Sequence, residues 1–458
     1  MTGRSRRLRF RLLAGCLPLL LAACASPSPS GRAATSASAS LPGESASASQ
    51  NSIGSVIPAP GSESSVYAPN PAAIVVAIDP GHGGCLDWGV PDPLQRGVEF
   101  SEKTMTLAIG RQLRELLEAQ GVTVVMARDD DIALAGDDYP QLGCNGPPWR
   151  DVNGDGESGF DPEGAIRTRD ELQARLDVAN IVRADVLVSI HINSLTQDGV
   201  VFEIAATETF YTDETEWGPD VTGPLAQAIQ DEVVASLDGA ARYDRQDRGV
   251  KAHNLFIVAP PLIETTPDRP DPRKQPTRGA LMPSILTEVG SITLRAEQDL
   301  LASPRGQEAA AEGIFAALAS HFSARPLAAS YLLPELESSA GVMPAPVDGD
   351  GPPYWLPETP SNEVLLRVVN SGTEAWPAGT HLLGKREPSD QPYLRVVPDV
   401  QDAVSEPLPA LGPGEAVDVL LTFPAGASGR WVAWITVATD AGPLTMLGSP
   451  PLQVAMGG

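Results

Sequence analysis

The sequence has few aromatic residues and few basic ones. Aromatic side chains make up 5% of the 458 residues, and 32 Lys and Arg stand against 58 Asp and Glu, a formal net charge of −26. Proteins that bind nucleic acid neutralise phosphates with a basic surface, so we expect no nucleic acid among the partners. The same charge disfavours electrostatic binding to an anionic membrane. At about 150 residues per domain, the length indicates up to three units.

The N-terminal region has no apolar run long enough to span a bilayer. Its apolar run, residues 12–23, follows a cluster of five arginines and is shorter than the ~20 residues that a transmembrane helix needs. A basic segment followed by a short apolar run is typical of an export signal. The chain is therefore expected outside the cytoplasm, in the cell envelope.

The end of this run, Leu21-Ala22-Ala23-Cys24, resembles the cleavage box of bacterial lipoproteins. The resemblance implies that residues 1–24 form a lipoprotein signal and that Cys24 carries the lipid that anchors the protein to a membrane. Cys16 ends a similar box, but only Leu12 separates that box from Arg11, so we prefer Cys24. The alternative is an ordinary cleaved signal with unrelated cysteines.

Cysteine is rare, with 4 residues in the chain. Residues 25–71 are dominated by Ser, Ala, Pro and Gly and predict a disordered tether. Beyond it lie Cys85 and Cys144, which an oxidising compartment outside the cytoplasm would allow to form a disulfide. The sequence does not give the geometry that this bond requires.

From Ala72 onward, short apolar runs alternate with helical patterns. Strands are predicted at residues 74–78, 122–126, 186–190, 255–258 and 285–289. A helix capped by Ser101 follows the first strand, and Ser303 with Pro304 begins the last helix. This alternation predicts an α/β domain over residues 72–323, with a mostly parallel sheet and helices on both of its faces.

Several side chains that can bind metals stand at the carboxyl ends of these strands, where such sheets form their sites. His82 follows the first strand, His191 follows the third, Glu288 lies on the last, and Glu102 begins the first helix. Two imidazoles and a carboxylate are a typical catalytic zinc set, with a second carboxylate as the base. Each residue also has a structural alternative: a packed core histidine, a carboxylate at a helix N-terminus, or a carboxylate with a bonded partner.

Six segments between residues 73 and 323 together resemble the zinc-dependent N-acetylmuramoyl-L-alanine amidases of bacterial cell walls. They occur in the order of that family: residues 78–84, 101–109, 175–180, 189–193, 248–251 and 286–291. The resemblance implies Zn²⁺ as cofactor, His82, Glu102 and His191 as its ligands, and Glu288 as the catalytic carboxylate. Glu99 is the competing metal carboxylate, although Glu102 fits the family pattern better because it precedes Lys103 and the apolar helix.

The chain departs from the compact family pattern in a polar insertion between residues 128 and 167. Inside it, Asp151, Asn153 and Asp155 alternate ahead of Gly156, as at the start of a calcium loop. Position twelve of that loop is Pro162 rather than Glu. Ca²⁺ binding and an ordinary turn cluster are both consistent with this pattern.

The sequence pattern changes after residue 323. Residues 324–362 are predicted to be a linker, and residues 363–458 show short β runs separated by turns, which indicate a small all-β sandwich. These residues resemble tryptophan-containing Ig-like modules through Asn370-Ser371-Gly372, Trp376 and Trp434. Such a module would bind an envelope glycan or protein, or act as a spacer, and the two tryptophans are expected in its core.

The sequence thus predicts a lipid-anchored amidase whose partner is peptidoglycan. It would hydrolyse the amide bond between N-acetylmuramic acid and the L-alanine of the stem peptide. Two alternatives remain open: a non-catalytic envelope protein that uses the same fold for binding, and a zinc peptidase with another substrate.

Overall fold

The computed structural model describes most of the chain between residues 73 and 457. The described ranges are 73–84, 87–92, 94–135, 151–153, 169–197, 200–215, 217–260, 278–333, 358–359, 361–388, 400–424 and 429–457. They belong to one compact unit, Ser64–Pro162 with Ile166–Gly458. The predicted signal and tether lie outside the described residues, as do Cys24, Cys85, Cys144 and Asp155.

The N-terminal part of this unit is an α/β domain. Its strands are Val75–Pro80 (β1), Thr123–Met126 (β2), Val186–Asn193 (β3), Thr196–Gln197 (β4), Val200–Val201 (β5), Ala205–Tyr211 (β6), Arg245–Ala252 (β7) and Ser284–Ser291 (β8). Its helices are Glu102–Glu118 (α1), Arg169–Ile181 (α2), Gly223–Ala240 (α3), Arg295–Leu301 (α4) and Pro304–Ser323 (α5). Across the described residues, no helix has both the length and the apolar character needed to cross a bilayer.

The main sheet has the strand order β2-β1-β3-β8-β6-β7. Its neighbours are parallel except for β6 and β8, which run antiparallel. The predicted mostly parallel sheet is therefore confirmed in outline, and the sheet is mixed. One predicted strand is wrong, because residues 255–258 form a turn and the edge strand is β7.

Helices cover both faces of this sheet. On one face, α1, α3 and α5 share an apolar core with β1, β3 and β8. On the other face, Leu176 and Ala179 of α2 pack with Leu187 and with the segment around Met282. Strands buried on both faces explain the continuous apolar runs of β1 and β3.

Local signals in the sequence set the ends of the long helices. Helix α1 is followed by Gly121, whose φ of 82° suits glycine. Helix α5 begins at Pro304, and the Ser303 side chain accepts a hydrogen bond from the Gly306 backbone N–H.

The C-terminal part is all β. Its strands are Ala329–Leu332 (β9), Glu358–Thr359 (β10), Glu363–Asn370 (β11), His381–Pro388 (β12), Val404–Pro407 (β13), Ala416–Thr422 (β14), Arg430–Thr439 (β15), Gly442–Pro443 (β16) and Leu452–Gly457 (β17). They form two sheets, β14-β11-β9 and β10-β17-β15-β12-β13, and both contribute to one apolar core. Trp376 and Trp434 are buried.

The segment predicted as a linker, residues 324–362, needs correction. Strand β9 lies within it and pairs antiparallel with β11, because Ala329 and Tyr331 alternate into the core of the β region. The connection from α5 to the β region is therefore short. At this junction Arg325 forms a buried ion pair of 2.8 Å with Asp185.

Candidate active site and metal centre

His82 is held in an unusual backbone conformation just after β1. Its φ of 63° lies in the left-handed region, which is uncommon for a residue with a side chain. Arg175 compensates by donating to the His82 carbonyl over 2.7 Å and to the Pro80 carbonyl over 2.8 Å. Arg175 is buried and also pairs with Asp79. These contacts, which we call the Arg175 clamp, fix the backbone at His82 and so the direction in which its imidazole points.

Glu102 begins α1 and faces both histidines. Its Oε1 lies 3.1 Å from His82 Nε2 and 3.2 Å from His191 Nδ1. The backbone N–H of Ile192 donates to Oε1 over 3.0 Å, and that of Val90 donates to Oε2 over 2.8 Å. The carboxylate is thus oriented by the chain on both sides.

His191 completes this group near the end of β3. The two imidazole rings are 4.8 Å apart and nearly perpendicular. Gly81 allows this approach, since a Cβ atom there would lie 2.4 Å from the His191 ring. Ligand atoms of His82, Glu102 and His191 all lie within 4.8 Å of one another. We call these three residues the metal centre.

The charges of the metal centre influence one another strongly. Burial alone would raise the pKa of Glu102, but the two imidazoles hold that pKa well below its ordinary value. Burial opposes protonation of His82, yet Glu102 and Asp87 raise its pKa well above the ordinary value. Two imidazoles and a carboxylate at this separation could hold a divalent metal ion.

Asp87 belongs to this site, although the sequence reasoning missed it. Its Oδ1 accepts a hydrogen bond of 2.7 Å from His82 Nδ1. A carboxylate that accepts a hydrogen bond from one ring nitrogen fixes the tautomer of the imidazole. The other ring nitrogen is then free to bind a metal. Asp87 lies five residues after His82, and the sequence alone does not show that the loop brings the two side chains together.

Glu288 lies beside His191 in the sheet, because the two residues are partners in the β3–β8 pairing. Its Oε2 is buried and has no hydrogen-bond partner. Burial, together with nearby Glu102, raises the pKa of Glu288 well above its ordinary value. A carboxyl group of raised pKa next to a metal centre is suited to accept and return a proton near neutral pH.

Two other predicted residues lie outside the metal centre, and the candidate calcium loop is described only in part. Glu99 is exposed and is not part of the metal centre. Asn180 bonds the backbone of Gly279 and Leu281 rather than the site. In the candidate calcium loop, Asp151 and Asn153 are described, and the backbone N–H of Asn153 donates to Asp170.

Arg128 is a second residue that the sequence reasoning did not assign to the site. Its guanidinium is buried and donates to the backbone carbonyls of Pro80, Gly81 and Lys103. Burial and nearby Arg175 lower the pKa of Arg128 to about 9. Arg128 and Arg175 thus hold the loop after β1 from two directions.

A sequence profile of the N-acetylmuramoyl-L-alanine amidases matches residues 76–320, more than half of the chain. The chain belongs to this amidase family. Its activity is hydrolysis of the amide bond between N-acetylmuramic acid and L-alanine in peptidoglycan.

Curated relatives are similar over about half of the chain. The germination-specific N-acetylmuramoyl-L-alanine amidase of Bacillus subtilis (strain 168) is 24% identical over 248 residues, which are 54% of this chain and 79% of that protein. An uncharacterized cell wall amidase of Bacillus anthracis is 26% identical over 252 residues, 54% of this chain and 35% of that protein.

Solved amidase structures also match about half of the chain. An N-acetylmuramoyl-L-alanine amidase from Clostridium difficile 630 is 26% identical with a TM-score of 0.37, covering 55% of this chain and 98% of that one. The amidase AmiC2 of Nostoc punctiforme is 25% identical with a TM-score of 0.35. The match covers 54% of this chain and 97% of that one.

Proposed function

We propose that this amidase binds Zn²⁺ through His82, Glu102 and His191 and uses Glu288 as its proton-transfer group. The observation that carries the proposal is the convergence of the three ligand side chains within 4.8 Å, beside a carboxyl group whose Oε2 has no partner. A buried carboxyl oxygen without a partner is costly unless a cation or a substrate group faces it. The donor set therefore fits a metal.

Zn²⁺ bound there would polarise the carbonyl of the scissile amide and lower the pKa of a water molecule toward about 7. Glu288 then accepts a proton from the attacking water and passes it to the departing nitrogen of L-alanine. Its raised pKa supports this role, since the carboxyl can hold a proton between the two transfers.

Residues around the metal centre keep it in position for this reaction. Asp87 holds His82 Nδ1 as a donor, so that Nε2 faces Glu102 and the metal. The Arg175 clamp on the His82 carbonyl restricts the same side chain from behind. Both contacts reduce the reorganisation that the site needs when metal and substrate bind.

Metal analysis tests the cofactor directly. We expect about one zinc per chain in the full-length protein, little in a His191→Ala variant, and a normal content in an exposed control, Glu99→Gln. Activity on peptidoglycan should disappear with a chelator and return with Zn²⁺. Full activity in protein without metal would contradict the proposal.

The two alternative functions give different results in the same assay. A binding scaffold would hold zinc and leave peptidoglycan intact. A zinc peptidase would release fragments cut within the stem peptide rather than at its first residue.

We also propose that the protein is exported and anchored by a lipid on Cys24, with residues 25–71 as a tether. Support comes from the export signal and the lipoprotein-like cleavage box. A Cys24→Ser variant should leave the membrane fraction, while a Cys16→Ser variant should remain in it. The reverse result would move the anchor to Cys16.

The remaining proposals concern accessory regions. The two-sheet β region supports an Ig-like module that binds an envelope glycan or protein. The alternating oxygen ligands of Asp151, Asn153 and Asp155 support a Ca²⁺ site, and the Cys85–Cys144 disulfide remains a prediction from the compartment.

A further inference from the structure

A row of functional side chains continues across the sheet beyond Glu288. His191 on β3 pairs with Glu288 on β8, and Glu288 pairs with Glu208 on β6. Laterally paired residues project on the same face of a sheet. Glu208 therefore lies about 5 Å, one strand spacing, beyond the catalytic carboxylate.

The next strand is irregular at this row. In the β6–β7 pairing Thr207 is opposite Asp247 and Thr209 is opposite Val250, so Arg248 and Gly249 together face Glu208. This is the arrangement of a β-bulge, which redirects a side chain and often occurs beside active sites. Gly249 takes a φ of 71°, which suits glycine.

Two cations converge on the buried Glu208 carboxylate. Arg248 Nε donates to Oε2 over 2.9 Å, and Lys251 Nζ donates to the same oxygen. Asn193 donates to Oε1. These two cations with one carboxylate leave a local charge of about +1, and their side chains are 36% and 38% exposed. We call Arg248 and Lys251 the cation pair.

This surplus positive charge stands out in a chain with a net charge of −26. The other basic side chains around the metal centre, Lys103, Arg128 and Arg175, are 3% exposed or less and donate to the protein itself. Within the described part of the site, the cation pair is thus the basic group accessible to a substrate. Its guanidinium and ammonium groups suit a carboxylate.

We propose that the cation pair, positioned by Glu208, binds the α-carboxylate of the second stem-peptide residue and so selects the peptide. This proposal rests on the proposed function of the metal centre. The second residue of a stem peptide is a D-glutamate joined through its γ-carboxyl, and its α-carboxylate is either free or amidated. The cation pair lies on β7, two strand spacings or about 10 Å from Glu288 on β8, and two residues of extended peptide with their side chains cover this range at about 7 Å of backbone.

Binding of a product peptide tests this assignment without any turnover. The probes are L-Ala-γ-D-Glu-L-Lys and the same peptide with the α-carboxylate of its second residue amidated. Isothermal titration of the full, zinc-loaded protein should show about tenfold tighter binding of the free acid, as for a hydrogen bond to a charged group. Equal Kd values for the two peptides would overturn the proposal.

Substitutions then assign the preference to particular residues. In an Arg248→Gln, Lys251→Met double variant we expect weaker binding of the free acid and no preference between the peptides. The matched control is Arg242→Gln, which removes an exposed arginine just before β7 and should keep the preference. A double variant that folds normally and still prefers the free acid would show that the cation pair only stabilises Glu208, and would overturn the proposal.

Kinetics separate this inference from the proposed function. The wild-type protein should cleave muropeptides with a free α-carboxylate more efficiently, mainly through KM. If it cleaves both forms equally well, the carboxylate assignment fails while the amidase function stands. If the folded, zinc-loaded protein cleaves neither form, the proposed function fails, and the peptide titration still decides the role of the cation pair.

Discussion

Glu288 stands in a position that costs folding free energy. Its Oε2 is buried without a partner, and the charges of Glu102 and Glu208 act with burial to raise its pKa. A residue selected for stability alone would be apolar or hydrogen-bonded at this point. The arrangement suits the proposed role of Glu288, because proton transfer needs a carboxyl group that changes its protonation state.

Replacing Glu288 by glutamine should therefore separate activity from stability. We expect Glu288→Gln to lower kcat by about 10²- to 10⁴-fold, because the side chain can no longer transfer a proton. The free energy of unfolding should be unchanged or higher, since the buried ionisable group is gone. Urea unfolding and a muropeptide assay measure the two effects, and Glu99→Gln should change neither. A Glu288→Gln variant with wild-type kcat would contradict the assigned role.

The Asp87–His82 hydrogen bond should affect metal affinity more than folding. An Asp87→Asn variant lowers the basicity of the imidazole and loosens its orientation, and such changes cost about 10- to 100-fold in metal affinity. Competition with a chromophoric zinc chelator measures this affinity. Asp129→Asn, which alters an exposed carboxylate paired with Arg114, serves as the control. Equal zinc affinity in Asp87→Asn and wild-type protein would count against this contact.

At the scale of the elements, the buried strands were predictable and the edge of the sheet was not. Strands β1 and β3 contain apolar runs and most of β8 is buried, because helices cover both faces of the sheet. Strand β7 reads RQDRGVKA, and its residues are mostly polar and are exposed or partly buried, so it carries no apolar signal. A strand was predicted instead at residues 255–258, because they are apolar. In the structure they form a turn that packs against α2.

The residues of the site were likewise predictable in part. Residues at the ends of apolar strands could be located from the sequence, because the sheet topology brings those ends together. Asp87 and Arg128 could not, because their roles depend on loop conformations that bring them to His82 and to the Pro80 carbonyl. The bulge that directs Arg248 toward Glu208 likewise depends on strand register.

The close packing between strands β1 and β3 makes Gly81 a sensitive position. In Gly81→Ala the new methyl group would meet the His191 ring, so the ring must move away from Glu102. We expect zinc affinity to fall and stability to drop by about 1–3 kcal/mol from overpacking.

A second glycine provides the control for this substitution. Gly239 lies in α3 with no atom within 4 Å of an added Cβ, so Gly239→Ala should raise stability by about 0.5–1 kcal/mol. Thermal unfolding and zinc titration of both variants give the comparison. Normal zinc binding in Gly81→Ala would show that the glycine is not required by the metal centre.

At the scale of the whole molecule, the catalytic and β regions are joined by buried polar contacts. Arg325 and Asp185 form an ion pair whose side chains are 6% and 2% exposed. Asp185 also accepts a hydrogen bond from the Val75 backbone, and Ser330 donates to the Ala73 carbonyl. These contacts tie the start of β9 to the edge of the first strand, so the β region is packed against the catalytic domain.

Removing the arginine should weaken this junction. Arg325→Met leaves Asp185 buried without its cation, which costs about 3–5 kcal/mol. Arg367→Met breaks the exposed ion pair with Asp418, where a change of no more than about 1 kcal/mol is expected. Urea unfolding followed by intrinsic fluorescence compares the two variants. A loss in Arg325→Met as small as that in Arg367→Met would mean that the junction contributes little.

A few of the acidic side chains of the molecule lie in the proposed active site. Most carboxylates contribute to the net charge of −26, whereas Glu288 and Glu208 lie in one row across the sheet with His191, and Arg248 and Lys251 pair with Glu208. Two basic side chains thus stand beside the carboxylates of this site, in a molecule that is acidic as a whole.

Digestion of purified muropeptides, with mass spectrometry of the products, tests the central claim most directly. We predict that the zinc-loaded protein releases stem peptides with a free L-alanine N-terminus. The release should stop with a chelator and in Glu288→Gln. Intact muropeptides after incubation with folded, zinc-loaded protein would contradict the account.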